Sequence, residues 1–158
     1  MGTRSGNIDP AIVFHLHRVA GMPLDEIDDL LNKRSGLLGL CGEHDMREVL
    51  RRDDEQAKLA LDIYCARIKS YVGAYFALLG GADAITLTAG VGENSAVVRA
   101  QALSNLEALG ITVDDERNSK GENVISPEGA KVAVCVVPTD EELEIATQTA
   151  ALLSSNGR

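Results

Sequence analysis

Residues 82–95 read ADAITLTAGVGENS. A β-branched run over 82–90 predicts a strand, VGENS makes a turn, and AVVRAQALSNLEALG (96–110) follows as a helix ending at Gly110. Residues 131–142, KVAVCVVPTDEE, repeat the order: an apolar strand over 131–138, a turn, and the helix TDEELEIATQTAALL over 139–153. Thr139 with Glu142 three residues later predicts a capping box. Strands alternating with helices place the chain in the α/β class. If the two strands are parallel, both turns lie at their carboxyl ends, the edge where open α/β sheets bind ligands. Two strands make a smaller sheet than stability normally requires, so strands are expected to be missing from the chain. ITV (111–113) offers a further short strand, and the polar DDERNSKGENVISPEGA (114–130) reads as a surface loop.

Upstream the chain is helical. Asp9-Pro10 reads as a cap and first helical residue for AIVFHLHRVAG, which runs to Gly21. LDEIDDLLNKRSG (24–36) carries its acids first and its bases last, as the helix dipole favours. SGLLGLCGEH is expected to be a glycine-broken loop leading to a helix that starts near Asp45. In residues 54–81, Leu61, Tyr64, Ile68, Val72, Tyr75 and Leu79 recur at helical spacing and predict one apolar face, with Gly80-Gly81 ending the helix.

The 158 residues suffice for one domain, and 45% hydrophobic with 25% charged residues is a globular composition. A net charge of −9 without a basic cluster argues against a nucleic-acid partner. No apolar run is long enough to span a bilayer, and no signal peptide opens the chain. Cys41, Cys65 and Cys135 form neither a C-x-x-C pair nor an even disulfide set, so three reduced thiols and a cytoplasmic location are expected. His15, His17 and His44 lack metal-ligand spacing and read as surface or packing residues.

Four places carry possible chemistry, each beside a structural alternative. In MGTRSGNIDP (1–10), Arg4 on a tight turn can clamp a phosphoryl group, or be a solvated terminal arginine. Asp45 is a helix cap, and Arg47 can stack on a base or pair with an acid. GVGEN (90–94) lets a nucleotide approach the backbone, or is a strand–helix turn capped by Asn94 or Ser95. Glu141 can hold Mg²⁺ directly or through water, or simply complement a helix dipole.

The set and order of these motifs are more specific than any one. MGTRSGNIDP, DMR (45–47), TLTAGVGENS (86–95) and VVPTDEELEIA (136–146) resemble four successive signatures of the acetate kinase family, and SGLLGLCG and LALDIYCARIKSYVGAY fit the same pattern. The resemblance implies reversible phosphoryl transfer from ATP to acetate, giving ADP and acetyl phosphate. Propionate and butyrate kinases share much of the pattern. It also implies a partial RNase H-like domain of the acetate and sugar kinase, heat-shock chaperone and actin superfamily. By this resemblance residues 1–158 are only the C-terminal, nucleotide-binding portion, without the N-terminal domain and without the first strands of this domain.

Carried over residue by residue, Arg4 matches the arginine that binds the acyl substrate and stabilises the transferring phosphoryl group. Asp45, Met46 and Arg47 match the stretch flanking the adenosine. Gly90, Val91, Gly92, Glu93 and Asn94 match the glycine loop that holds the nucleotide, and Glu141 matches the glutamate associated with Mg²⁺. Cys41, Glu43, His44 and Asp140 depart from the usual family residues without breaking register. The family's transition-state histidine, a second substrate arginine, a catalytic aspartate, an asparagine near the metal and the phosphate-binding glycine loop have no counterpart here. The chain alone is therefore expected to be inactive, or to serve as a nucleotide-binding or dimerisation module. Exposed sheet edges predict self-association.

Overall fold

A computed structural model describes residues 1–155. The chain divides into two compact units, Met1–Leu78 and the part from Leu79 onward.

The first unit is helical: α1 Ala11–Arg18, α2 Leu24–Lys33, α3 Gly36–Cys41, α4 Met46–Arg51 and α5, which begins at Glu55 and ends at Leu79. The starts of α1, α4 and α5 follow from short polar side chains that satisfy first-turn N–H groups. Asp9 Oδ1 accepts from Ala11 N at 2.8 Å, Asp45 Oδ1 from Arg47 N at 2.9 Å, and Asp54 Oδ1 from Ala57 N at 3.1 Å. α3 replaces the expected glycine-broken loop: burial of Leu37 and Cys41 outweighs the poor helix propensity of its two glycines. The apolar stripe expected on α5 is half-buried at Leu61, Tyr64, Ile68 and Val72, while the fully buried positions are smaller residues. Ala57, Ala60 and Cys65 are buried, whereas Tyr75 and Leu79 are exposed. Small side chains let neighbouring backbone approach closely, and the larger ones stay at the margin.

The second unit carries the sheet. β1 (Ala84–Leu87) pairs in parallel with β2 (Ala133–Val136), Ala84 opposite Ala133 and Leu87 opposite Val136. Between them lie α6 (Ala89–Asn94), α7 (Ala96–Leu103), a 3₁₀ turn at Glu107–Leu109 and α8 (Asp115–Lys120); α9 (Glu141–Ser155) follows β2. Val98, Leu103, Ile111, Ile125, Val132 and Val134 are almost completely buried.

Four expectations for this unit need correction. The helix from residue 96 stops at Leu103 rather than Gly110, because Ser104 turns extended with ψ 152° and Asn105 after it is left-handed with φ 58°. Residues 111–113 are not a strand; their neighbourhood makes single bonds, such as Val132 N to Gly110 O and Asp114 N to Ile125 O. Residues 114–130 are not merely a surface loop. Asp114 caps α8, Gly121 ends it at φ 66°, and residues 123–125 run along β2, with Ile125 N donating to Val134 O and Val136 N to Asn123 O. Finally, Asp140 rather than Thr139 caps α9, its Oδ1 accepting from Leu143 N at 2.9 Å. Thr139 is not available for that role, because it bonds Glu93.

β2 is thus flanked on both sides, while the far edge of β1 meets no strand among the described residues. No helix among them is long and apolar enough to cross a membrane.

Candidate functional site

In the first unit Arg4 sits on a turn that is fixed mainly through backbone, with one side-chain bond from Thr3 Oγ1 to Asn32 O at 3.3 Å. Leu37 N donates to Met1 O, Leu38 N to Gly2 O and Ser35 N to Thr3 O, while Ser5 N donates to Leu31 O, all at 2.8–3.0 Å. The junction of α2 and α3 therefore holds residues 1–5 like a short strand. Gly36 makes this possible. Its φ is +62°, and a Cβ there would lie 2.4 Å from Met1 O and 2.9 Å from Arg4 O. The Arg4 guanidinium is exposed, has no carboxylate partner among the described residues, and lines an open cavity of about 950 Å³ with Asn7, Tyr64, Arg67 and Tyr71. A cation on a rigid turn without an internal counter-ion suits an anionic ligand.

Asp45 and Arg47 form a closed pair at the start of α4. Besides capping, the Asp45 carboxylate accepts Arg47 Nε at 3.0 and 3.1 Å and also pairs with Nη2. The guanidinium plane is fixed yet remains 82% exposed. These bonds lower the Asp45 pKa from its ordinary 3.8 to about 2. The ionised cap is therefore fully present above the ordinary carboxylate range and is lost as pH falls toward about 2. We expect Arg47→Ala to move the Asp45 midpoint upward but not to the ordinary value, because the residue-47 amide still donates. Carboxyl-carbon NMR titration reads this; an unchanged midpoint would refute the pairing. Met46, between them, is 6% exposed, so its side chain belongs to the core.

In the second unit the glycine motif is the body of α6 rather than a turn before a helix. Ala89 enters it with φ 59°, a costly conformation for a residue with a Cβ. The two glycines differ. A Cβ on Gly92 would come within 3.3 Å of the Leu87 carbonyl carbon, so this glycine lets α6 pack against the end of β1. A Cβ on Gly90 would meet no protein atom within 4 Å. The space beside Gly90 is open to a ligand. Asn94 donates to Gly90 O within α6, and Ser95 caps α7 through Val98 N. Glu93 Oε1 accepts from Thr139 N at 2.9 Å and Thr139 Oγ1 at 2.8 Å, which keeps its carboxyl below the usual range. The glutamate thereby ties α6 to the turn that precedes α9.

Glu141 is the first residue of α9 and is exposed. No group of three or more His, Cys, Asp or Glu among the described residues could hold a metal ion. A lone accessible carboxylate does not make a resident metal site. It suits only a Mg²⁺ that arrives on nucleotide phosphates, keeps several waters and needs one or two carboxylates.

Residues 1–147 match the family model described as the acetokinase family. The chain belongs to that family. Acetokinase relatives include acetate kinase of Streptomyces coelicolor, 64% identical over 99% of this chain, and acetate kinase of Sulfurimonas denitrificans, 53% identical over 97%. The chain spans about 40% of the length of either relative. The fold resembles crystal structures of Porphyromonas gingivalis acetate kinase (TM-score 0.87, 42% identity, 97% of this chain and 40% of that one). It also resembles a propionate kinase from Francisella tularensis (TM-score 0.86, 42% identity, 92% and 38%). This is the actin-like ATPase fold, and the acetokinase portion seen here contains a small parallel sheet of it.

Sequence reasoning placed Arg4, Asp45–Arg47 and Glu141 at the ends or turns of elements, where the structure has them, whereas the glycine motif it read as a turn is the short helix α6. It missed Gly36, Arg99 and Asn118. Gly36 lay inside a glycine-rich run where no position stood out. Arg99 carried a signal: it is four residues after the Ser95 cap on an otherwise apolar helix face, next to Val98 and Ala102.

Proposed function

We propose that this chain is the nucleotide-binding part of an acetate kinase, which transfers a phosphoryl group reversibly between ATP and acetate. The observation that carries the reading is the family match over residues 1–147, which takes in every candidate residue from Arg4 to Glu141. In this reading Arg4 neutralises charge on the equatorial oxygens of the transferring group. Asp45 fixes the Arg47 plane beside the adenosine, with Met46 anchoring that stretch in the core. Gly90–Asn94 receives the nucleotide. Glu141 would hold, directly or through water, the Mg²⁺ that travels with ATP, and that ion would neutralise charge on the phosphates. Phosphoryl transfer asks for such positioning and electrostatics rather than covalent chemistry.

Propionate is the second reading for the acyl substrate, because the propionate kinase structure matches at the same 42% identity as the acetate kinase one. Competition between the two acids in the complete kinase ranks them. The chain by itself is expected to form no acetyl phosphate, since the family resemblance assigns further catalytic groups to sequence this chain does not contain. A hydroxamate assay tests this, and robust turnover by the isolated chain would overturn the requirement for those groups.

Self-association and a cytoplasmic location complete the proposal. Leu78, Leu79, Leu143, Ile145, Leu152 and Leu153 are each more than 60% exposed, and the β1 edge is unpaired among the described residues. Light scattering is expected to give a mass above the 16.8 kDa monomer. A clean monomer would count against association.

A further inference from the structure

α6 has six residues, two glycines and no buried side chain, so little in its own composition holds it in place. Besides the Glu93–Thr139 bonds, what holds it is a buried cation. Arg99 on α7 is 3% exposed and donates Nη1 to the last carbonyls of α6, Gly92 O at 3.0 Å and Glu93 O at 2.8 Å. Its other edge is anchored on Asn118 of α8: Nε donates to Asn118 Oδ1 at 2.7 Å, and Nη2 to Asn118 O at 2.9 Å. Asn118 is 4% exposed, and its Nδ2 donates to Ala96 O at 2.9 Å, at the start of α7. No carboxylate pairs with Arg99 among the described residues.

Burying an arginine without a counter-ion is costly unless its donors are satisfied. Here they are satisfied by carbonyls at a helix C-terminus, the end where a cation is favoured. An apolar residue would pack more cheaply at this position of an apolar helix, but it would leave the α6 carbonyls unheld. Gly92 packs against Leu87 at the end of β1, and Arg99 holds the carbonyls of Gly92 and Glu93 in the same C-terminal half of α6.

We propose that Arg99, oriented by Asn118, is a positioning residue that holds the glycine helix α6 in the conformation that receives nucleotide. The inference rests on the nucleotide-binding reading above. A preset helix spares the ligand the cost of ordering it, so the residue acts on affinity without touching the ligand. A lysine cannot replace it, because an ammonium lacks the planar fork that spans two α6 carbonyls and Asn118 at once.

The test compares the wild-type chain with Arg99→Lys and Arg99→Met, by amide hydrogen exchange and Mg-ATP titration. Exchange over residues 89–95 is expected to rise about tenfold in either variant relative to residues 132–136 in and beside β2, and Mg-ATP affinity to fall about tenfold. Exchange unchanged at 89–95, or raised equally in both segments, would overturn the clamp. Asn118→Asp keeps an acceptor for Arg99 but sets a carboxylate oxygen against Ala96 O, where the amide had donated. It is expected to loosen 89–95 less than either arginine variant does, because the bonds from Arg99 to Gly92 O and Glu93 O remain; if the arginine variants lose structure it gives a second comparison, and loosening of 89–95 no greater than that of 132–136 would then count against the proposal. If the wild-type chain shows no Mg-ATP binding, the nucleotide reading fails, while the exchange data still decide whether Arg99 holds α6.

Discussion

Gly36→Ala is expected to lower stability of the first unit by about 3 kcal/mol or more, the largest loss from a single methyl group in the chain. Two costs add. A residue with a Cβ pays about 1–2 kcal/mol to adopt the left-handed backbone required at φ +62°. The new methyl also lies 2.4 Å from Met1 O and 2.9 Å from Arg4 O, both backbone atoms that cannot swing aside. The segment bearing Arg4 must then leave the α2–α3 junction and break bonds from Ser35, Leu37 and Leu38. Gly21→Ala separates the two costs, since Gly21 has φ +70° but nothing within 4 Å of its added methyl. It should lose only the conformational part, about 1–2 kcal/mol. Thermal or urea unfolding of both variants measures the difference. Equal losses would show that residues 1–5 are not held against Gly36.

Gly90→Leu is expected to abolish nucleotide binding while leaving the melting temperature close to wild type. No protein atom lies within 4 Å of a Cβ at Gly90, and leucine has the better helix propensity, so the fold has no reason to object. A ligand approaching the backbone there would meet the whole side chain. Gly92→Ala should behave differently: its methyl presses on Leu87 at 3.3 Å, so α6 shifts by a few tenths of an ångström and affinity falls in part. Mg-ATP binding retained by Gly90→Leu would place the nucleotide elsewhere.

These two glycines also show what the sequence made legible. The strand and the helix from residue 96 were readable because β-branched alternation and glycine punctuation are local signals, whereas the glycine motif read as a turn is itself the short helix α6. Which glycine faces open space was not readable, because that depends on how α6 folds back on Leu87 at the end of β1. Asp45 was readable as a cap because a cap bonds within three residues. The cap of α9 was misread because Thr139 is claimed by Glu93, forty-six residues away. α8 was missed although Asp114, the acids after it and Gly121 spell a capped helix, because its polar composition resembled a loop. Arg99 and Asn118, nineteen residues apart, are joined only in three dimensions.

The most direct measurement is a calorimetric titration of this chain with Mg-ATP, repeated with Arg47→Ala. Saturable binding in the millimolar range or tighter, weakened by the substitution, is the predicted result. No saturable binding, or binding indifferent to Arg47, would contradict the claim that this chain carries the nucleotide site of an acetate kinase.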